Sequence, residues 1–267
     1  MSSNTHETFQ LTAEAAEAYE AAFVPAFFAQ WAPRLLDAAG VGNGQCVLDV
    51  ACGTGIVARG AADRVGSSGE VVGLDLSDAM LAVARRIRPG LVWRQSDAAA
   101  MPFGDDEFDV VLCQMALMFL PDPTEALREM RRVVRPTGTV AVLVPGALSA
   151  NRPYELFVDI VTRHAGPDAR RLVTTYFTHG DGDRLAGLFI DAGLRVAAVT
   201  QPTGEFTMGS IDEFVTIEID STPLGDRLDP GARGRILVDC RGALARWQAA
   251  DGTLRFDFTC NLVVAQP

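Results

Sequence analysis

Two glycines and two carboxylates are spaced as in a site that binds a nucleoside. Gly53 and Gly55 follow the apolar run 46–50, and glycine lets bare backbone approach a ligand where a strand turns into a helix. Asp75 lies about 20 residues further on, where one ionised carboxylate can accept hydrogen bonds from both hydroxyls of a ribose. Asp49 precedes the turn and would face a cationic amino group better than a pyrophosphate.

The glycine turn by itself leaves two ligand classes open. Together with Ala58 and Asp75, the turn also matches the fingerprint of a dinucleotide-binding sheet. Asp97 and Ala98 favour an adenine site instead, because the carboxylate can accept from an exocyclic amine while the next backbone N–H donates to the ring. A nicotinamide-dependent oxidoreductase would use a Tyr-x-x-x-Lys signature, and this sequence contains no lysine.

These residues fall at the ends of strands in an alternating β-α pattern. The predicted strands are 46–50, 70–75, 91–95, 108–113 and 139–144. Alternation of this kind predicts an α/β, Rossmann-like, mostly parallel sheet with helices on both faces. After Pro145 helical segments dominate, at 150–166, 183–193, 210–220 and 230–249, with strands at 194–200 and 254–265. We expect the final strand to be antiparallel.

The flanking segments are predicted to cover this core. Residues 12–39 predict a helix interrupted near Pro25 and Pro33, capped by Thr12 and ended by Gly40. We therefore expect an N-terminal helical cap (1–45), a ligand-binding core (46–145), and the remaining strands with inserted lid helices (146–267), all within one structural domain.

Four motifs lie along the alternating core. They are VLDVACGTG at 47–55, VVGLDLSDAML at 71–81, SDAAAMPFGDDEFDVVLCQ at 96–114 and LREMRRVVRPTG at 127–138. Together they resemble the class I S-adenosylmethionine-dependent methyltransferases, especially the branch of ubiquinone/menaquinone-biosynthesis C-methyltransferases and many small-molecule methyltransferases. The resemblance implies S-adenosylmethionine as cofactor, and O- or C-methylation of a small, largely apolar or aromatic molecule in secondary or cofactor metabolism.

The resemblance also implies which residues bind the cofactor. They are Asp49, Gly53 and Gly55 beside the methionine half, Asp75 at the ribose, Leu76 and Met80 against the adenine face, Asp97 and Ala98 at the adenine edge, and Gln114 where cofactor and acceptor meet. An alternative with the same residues is an S-adenosylmethionine-binding protein that does not methylate, such as a cyclase or a sensor.

The acceptor is expected between the end of the fourth strand and the caps. The candidate substrate-binding residues are Tyr19, Phe23, Met115, Met118 and Phe119. Methionines and aromatic rings without fixed charges favour an apolar or aromatic acceptor. The alternative is that these side chains only pack beneath the cap.

No general base is assigned from the sequence. Aligning an acceptor with an activated methyl group can supply roughly 7–11 kcal/mol, so a base is needed only when the acceptor must first lose a proton. The candidates are His164, His179 and Tyr19. The alternative for His164 is stabilisation of a helix C-terminus.

Composition excludes several classes of partner. The net charge of −11 and the lack of a basic cluster disfavour nucleic acid. No apolar run reaches the roughly 20 residues of a membrane span, and no signal-peptide pattern opens the chain, so we predict a cytoplasmic protein with a small-molecule substrate. The five cysteines, without a Cys-x-x-Cys pair, predict reduced thiols and no metal site. The oligomeric state is left open.

Overall fold

The structure is a computed structural model, and it describes residues 12–220 and 222–267. At its start Thr12 accepts a hydrogen bond from the Ala15 N–H at 3.2 Å and caps helix α1 (Ala13–Ala18), as predicted. The chain continues as a π-helix (Tyr19–Phe28) and then as α2 (Trp31–Ala38). The Ala29 N–H donates to the carbonyl of Val24, five residues back, at 2.8 Å, which is the π-helical pattern.

The interruptions of this N-terminal segment differ from the expected ones. Pro25 lies inside the π-helix and does not interrupt it. The break lies at residues 29–30. Pro33 falls in the first turn of α2, where its missing N–H has no helical partner to lose.

Among the described residues, eight strands form the sheet. They are β1 (Cys46–Val50), β2 (Glu70–Asp75), β3 (Val92–Gln95), β4 (Phe108–Gln114), β5 (Val134–Pro145), β6 (Arg195–Thr200), β7 (Thr203–Met208) and β8 (Leu254–Gln266). Their order is β3-β2-β1-β4-β5-β8-β6, and β7 pairs with β8. Strands β1 to β5 pair in parallel, whereas β6 and β7 each pair antiparallel with β8. The Rossmann-like prediction is confirmed.

Helices pack on both faces of the parallel strands. The remaining α-helices are α3 (Ile56–Val65), α4 (Asp78–Ile87), α5 (Pro123–Val133), α6 (Arg152–Val173), α7 (Gly182–Asp191), α8 (Ile211–Asp220), α9 (Leu224–Arg227) and α10 (Pro230–Leu244). Leu48 and Val50 lie in one buried cluster with α5 and α7. Because side chains alternate along a strand, Asp49 points to the other face, where it meets α3.

The chain forms two compact units. Unit 1 contains the described residues up to Val144 together with Gly182–Thr200 and Asn261–Pro267. Unit 2 contains Pro145–Asp181 and Gln201–Cys260. The division of the chain at residues 45 and 145 stays a prediction.

Unit 2 is built around aromatic rings. The ring of Tyr154, in α6, contacts five phenylalanines at centroid distances of 5.1–5.9 Å. We call this set the aromatic cluster; its members are Tyr154, Phe177, Phe206, Phe214, Phe256 and Phe258. Phe256 and Phe258 reach it from one face of β8, because alternate residues of a strand share a face. No helix within the described ranges is long and apolar enough to cross a bilayer.

Candidate cofactor site

The carboxyl ends of four parallel strands meet at one edge of unit 1. In the sheet register, Asp49 of β1 pairs with Gly73 of β2 and with Leu112 of β4, and Asp75 pairs with Gln95 of β3. Loops that follow parallel strands gather at such an edge, and the strand order reverses between β1 and β4. In open α/β sheets ligands bind at this switch point. We call it the carboxyl edge.

The turn from β1 into α3 has an unusual backbone. Ala51, Gly53 and Gly55 all have positive φ, at 53°, 54° and 87°. A Cβ added at Gly55 would lie 2.3 Å from the Trp93 ring, whereas one added at Gly53 would meet nothing within 4 Å. Gly55 therefore allows internal packing against Trp93, and Gly53 leaves open space beside the turn.

Asp75 ties this turn to the end of β2. Its Oδ2 accepts the Gly53 N–H at 2.7 Å, and its Oδ1 accepts the Ser77 N–H at 2.8 Å. Burial raises the pKa of Asp75, while these backbone hydrogen bonds lower it. Since a carboxylate offers about four lone-pair sites, each oxygen can accept a further hydrogen bond from a ligand hydroxyl.

Asp49 is the most deeply buried acid of the edge, with 1% exposure. Its Oδ2 accepts the Ala58 N–H at 2.9 Å, in the first turn of α3. Burial and, to a smaller extent, the charge of Asp75 raise the pKa of Asp49 to about 8, against the lowering effects of the Ala58 hydrogen bond and Arg59. A cationic ligand would favour the ionised form of this acid.

The residues assigned to adenine lie on the loops after β2 and β3. Leu76 is 47% exposed, which is unusual for a large apolar side chain, and Met80 is half-buried in the first turn of α4. Asp97 is exposed and its Oδ1 accepts the Ala99 N–H at 2.9 Å, while Ala98 is buried. Leu76 therefore offers an apolar surface to a flat base beside the ribose-binding candidate.

The loop after β4 carries the candidates for the acceptor. Gln114 Nε2 donates to the carbonyl of Phe28 at 3.2 Å, which joins β4 to the π-helix. Met115 has a positive φ of 55° and is buried, as is Met118, whereas Phe119 is half-buried. Non-glycine residues in this conformation are uncommon and cluster at functional sites.

Two aromatic candidates approach from the π-helix. Tyr19 and Phe23 are half-buried and stack with ring centroids 6.0 Å apart, and Tyr19 also lies 5.1 Å from the ring of Phe28. Unit 1 thus holds all of the cofactor and acceptor candidates. Their individual roles stay predictions.

The two histidine candidates lie in unit 2. His164 Nε2 lies 2.8 Å from Asp239 Oδ2, between α6 and α10, and this hydrogen bond lowers the pKa of Asp239. Helix α6 bends two residues later, at Gly166. His179 follows a short turn at Thr175–Phe177. A catalytic role for either histidine or for Tyr19 stays a prediction.

Three residues at the carboxyl edge were not predicted from the sequence: Glu20, Thr54 and Arg59. Arg59 Nη1 donates to the carbonyl of Thr54 at 2.7 Å, and Arg59 Nη2 donates to Glu20 Oε1 at 2.8 Å. Glu20 and Arg59 are 39 residues apart in the sequence, so no local pattern predicts that they pair. The only signal was that Glu20 follows the acceptor candidate Tyr19 and that Arg59 lies four residues after Gly55.

Two of the cysteines adjoin the carboxyl edge: Cys52 Sγ lies 3.7 Å from the carbonyl oxygen of Gly53, and Cys113 directly precedes Gln114. All five thiols are free, and four of them are buried. Across residues 12–220 and 222–267, no group of three or more His, Cys, Asp or Glu residues could hold a metal ion.

The residues of the carboxyl edge fit the chemistry of S-adenosylmethionine. Asp75 has lone pairs for ribose hydroxyls, and Leu76 offers an apolar face for adenine. Gly53 leaves space for backbone contact. Asp49 would be ionised beside a ligand end that carries a sulfonium and an ammonium, and Glu20 is a second acid of this edge.

Comparisons with known proteins identify the family of this chain. A family model described as a methyltransferase domain matches residues 48–142. The chain is 31% identical over 190 residues to a ubiquinone/menaquinone biosynthesis C-methyltransferase of Edwardsiella ictaluri, covering 65% of this chain and 76% of that protein. It is 33% identical over 187 residues to a demethylmenaquinone methyltransferase of Staphylococcus carnosus, covering 65% of this chain and 78% of that protein.

A solved structure shows the same fold. It is an S-adenosylmethionine-dependent methyltransferase from Aquifex aeolicus, with a TM-score of 0.53 and 20% identity, and the match covers 72% of this chain and 93% of that one. The protein is therefore an enzyme that uses S-adenosylmethionine, and the chain belongs to the class I S-adenosylmethionine-dependent methyltransferases.

Proposed function

We propose that this methyltransferase acts on a small, largely apolar aromatic molecule of the phenol or hydroquinone class, at carbon or oxygen. The observation that carries the proposal is the set of apolar side chains beside Gln114, at the point where β4 reaches the carboxyl edge. Met115, Met118 and Phe119 bring no fixed charge to this place. The printed names of the two relatives, which concern quinone biosynthesis, support the same acceptor class.

In this proposal the protein binds and orients, and the cofactor brings the reactivity. When bound, S-adenosylmethionine supplies a methyl group that its sulfonium charge already activates. Asp75 would hold the ribose, Leu76 would pack against the adenine, and Asp49 would face the cationic end. The apolar loop after β4 excludes water and holds the acceptor in line with the carbon–sulfur bond, an alignment that can supply roughly 7–11 kcal/mol.

Whether a proton must be removed depends on the atom that is methylated. For methylation at carbon, the ring must be electron-rich, and an ionised hydroxyl on the acceptor provides this. For methylation at oxygen, the hydroxyl proton must leave. Tyr19, at the carboxyl edge, is the candidate for accepting or relaying that proton.

The test is a turnover screen of the purified protein. Phenols, naphthols and reduced quinones are each incubated with S-adenosylmethionine, and mass spectrometry follows S-adenosylhomocysteine and an acceptor heavier by one methylene. Both products together support the proposal, and fragmentation separates C- from O-methylation. Methylation confined to amines or carboxylic acids would contradict it. Cofactor binding without any S-adenosylhomocysteine would support the alternative of a non-methylating binder, which the family membership does not favour.

A further inference from the structure

Three buried side-chain oxygens of unit 1 have no hydrogen-bond partner among the described residues. They are Glu20 Oε2, Thr54 Oγ1 and Gln114 Oε1. Leaving a buried polar group unsatisfied costs about 1–3 kcal/mol, and more when it is charged. Thr54 is only 1% exposed, and the Glu20 side chain is 19% exposed. Three such atoms in one region point to a ligand that satisfies them.

The three residues lie where the π-helix meets the carboxyl edge. Arg59 bonds both Glu20 and the backbone of Thr54, at 2.8 and 2.7 Å, and so joins the π-helix to the glycine turn. Gln114 bonds the carbonyl of Phe28, at the other end of the same π-helix. The N-terminal segment is therefore fixed to the carboxyl edge at both of its ends.

The unsatisfied atoms define the chemistry of the missing partner. A carboxylate oxygen and an amide oxygen can only accept hydrogen bonds, and a hydroxyl can accept as well as donate. Arg59 already pairs with the other oxygen of Glu20, so its charge is committed. A free anion would meet the carboxylates of Glu20 and Asp75 with like charge, whereas the carboxylate of an amino acid comes with its own ammonium group. A primary ammonium group offers three N–H donors and one positive charge, which matches this set.

We propose that Glu20, together with Thr54 and Gln114, binds the α-ammonium group at the methionine end of the cofactor. The π-helix Tyr19–Phe28 is then part of the cofactor site, and Glu20 is a cofactor-binding residue. Recognition of the amino acid end becomes separable from recognition of the adenosine end, because Asp75, Leu76 and Asp97 lie on other loops.

The test compares two ligands that differ only in this end. S-adenosylhomocysteine carries the ammonium group, whereas 5′-methylthioadenosine has the same thioether nucleoside without the amino acid. Calorimetric titration measures both ligands against the wild type, Glu20→Gln, and the control Glu17→Gln. Glu17 lies on α1, and its exposed side chain pairs with Arg86 on the surface.

The expected result is a selective loss. Glu20→Gln should lower the affinity for S-adenosylhomocysteine about 10- to 100-fold, the range for losing a hydrogen bond to a charged group. The affinity for 5′-methylthioadenosine should change less than about twofold. Glu17→Gln should change neither. An unchanged affinity of Glu20→Gln for S-adenosylhomocysteine would overturn the proposal. Equal losses for both ligands would also overturn it, because they would mean that Glu20 acts only by holding Arg59 and the glycine turn.

A second variant guards against a folding artefact. Thr54→Val removes the unpartnered hydroxyl and keeps the side-chain shape. It should leave the melting temperature equal to or above that of the wild type, because no internal hydrogen bond of that oxygen is lost, and still weaken S-adenosylhomocysteine several-fold. If the hydroxyl made no contact with the ligand, the affinity would not change. Failure of the wild type to bind either nucleoside would overturn the cofactor assignment itself, which is distinguishable from an effect confined to Glu20.

Discussion

Two buried carboxyl groups, one in each unit, share an electrostatic property but differ in their surroundings. Burial raises the pKa of Asp49 in unit 1 to about 8 and that of Glu218 in unit 2 to about 7. Glu218 accepts the hydroxyl of Tyr154 at 2.6 Å and lies against the aromatic cluster. Asp49 accepts a backbone N–H and lies near a second acid, Asp75, at an edge where the backbone is left-handed.

The difference teaches that a raised pKa does not by itself mark a ligand site. Glu218 also has an oxygen without a partner in the described part of the chain, yet its neighbours are packed rings with centroids 4.7–6.5 Å apart. At the carboxyl edge, several acceptors and acids converge beside open space at Gly53. We therefore expect changes at the edge to alter cofactor affinity, and changes at the cluster to alter stability.

The largest effect is expected at Asp75. Asp75→Ala removes a charged acceptor for two ribose hydroxyls, each bond worth about 1.5–3 kcal/mol, so S-adenosylhomocysteine affinity should fall at least 100-fold by calorimetry. The unfolding free energy should also fall, by about 3 kcal/mol or more on the same scale for the two lost backbone hydrogen bonds, so the affinity is measured where the variant is folded. Asp78→Ala, an exposed acid paired with Arg85, is the control. An unchanged affinity of Asp75→Ala would show that Asp75 does not bind the ribose, and the contrast between the carboxyl edge and the aromatic cluster would fail.

The opposite pattern is expected at Glu218. Glu218→Ala leaves the Tyr154 hydroxyl without its acceptor among phenyl rings, and we expect urea denaturation to show a loss of about 3 kcal/mol in unfolding free energy. Cofactor affinity should stay within about twofold of the wild type. Glu218→Gln keeps an acceptor for Tyr154 and should lose about 1 kcal/mol or less. A fall in cofactor affinity for Glu218→Ala, measured where the variant is folded, would break the comparison.

The two acids should also differ in their response to pH. Each holds its proton in the ligand-free folded protein above the pH at which the unfolded chain releases it, so stability falls as pH rises, by up to about 1.4 kcal/mol per unit for each group. The windows run from about 4 to 8 for Asp49 and from about 4.5 to 7 for Glu218. Urea denaturation between pH 5 and 8 should show a flatter slope in Asp49→Asn up to pH 8, and in Glu218→Gln only up to pH 7.

Cofactor binding is expected to depend on the ionisation of Asp49 and not on that of Glu218. A cation beside Asp49 favours its ionised form, so wild-type affinity for S-adenosylmethionine should rise between pH 6 and 8 more steeply than the affinity of Asp49→Asn. Titration of the ligand's own amino group is common to both proteins and cancels in that difference. Glu218→Gln should follow the wild type. Parallel pH profiles for wild type and Asp49→Asn would show that no cation is bound beside Asp49.

The smallest effect is expected at Leu76. Leu76→Ala removes apolar surface from the adenine face and should weaken S-adenosylhomocysteine about fivefold, the effect of roughly 1 kcal/mol of lost burial. The melting temperature should not change, because the side chain is half exposed. Ile190→Ala, an exposed apolar residue of α7 at 63%, is the matched control. If the wild type, Leu76→Ala and Ile190→Ala bind with equal affinity, the adenine does not contact Leu76.

The core of the fold could be predicted because its strands are buried on both faces. The predicted strands 46–50 and 70–75 match β1 and β2 residue for residue, since continuous apolar runs are typical of parallel strands. Strand β5 begins earlier than predicted, at Val134. Residues 136–138 precede the predicted strand 139–144, yet they lie within β5, where pairing with β4 shifts register between Phe108 and Val110.

Features fixed by distant partners could not be predicted. Strand β7 (Thr203–Met208) carries a glycine and a weak strand pattern, and it forms because β8 pairs with it from Leu254 to Thr259. The π-helix has a sequence that fits an α-helix equally well. Asp49, Asp75 and Gln114 were predicted to share one sheet edge, and the structure places them there. Glu20 required knowledge of where Arg59 lies.

The π-helix makes the number of residues in this segment as important as their identity. Its carbonyls accept from the fifth residue ahead, where an α-helix uses the fourth. Deleting one residue between Glu20 and Phe28 would allow α-helical bonding and rotate the preceding turn by about 100° relative to the following one. Phe28 could still meet Gln114, but Glu20 would turn away from Arg59. A chain with this segment one residue shorter would have to bring its acid from a different position.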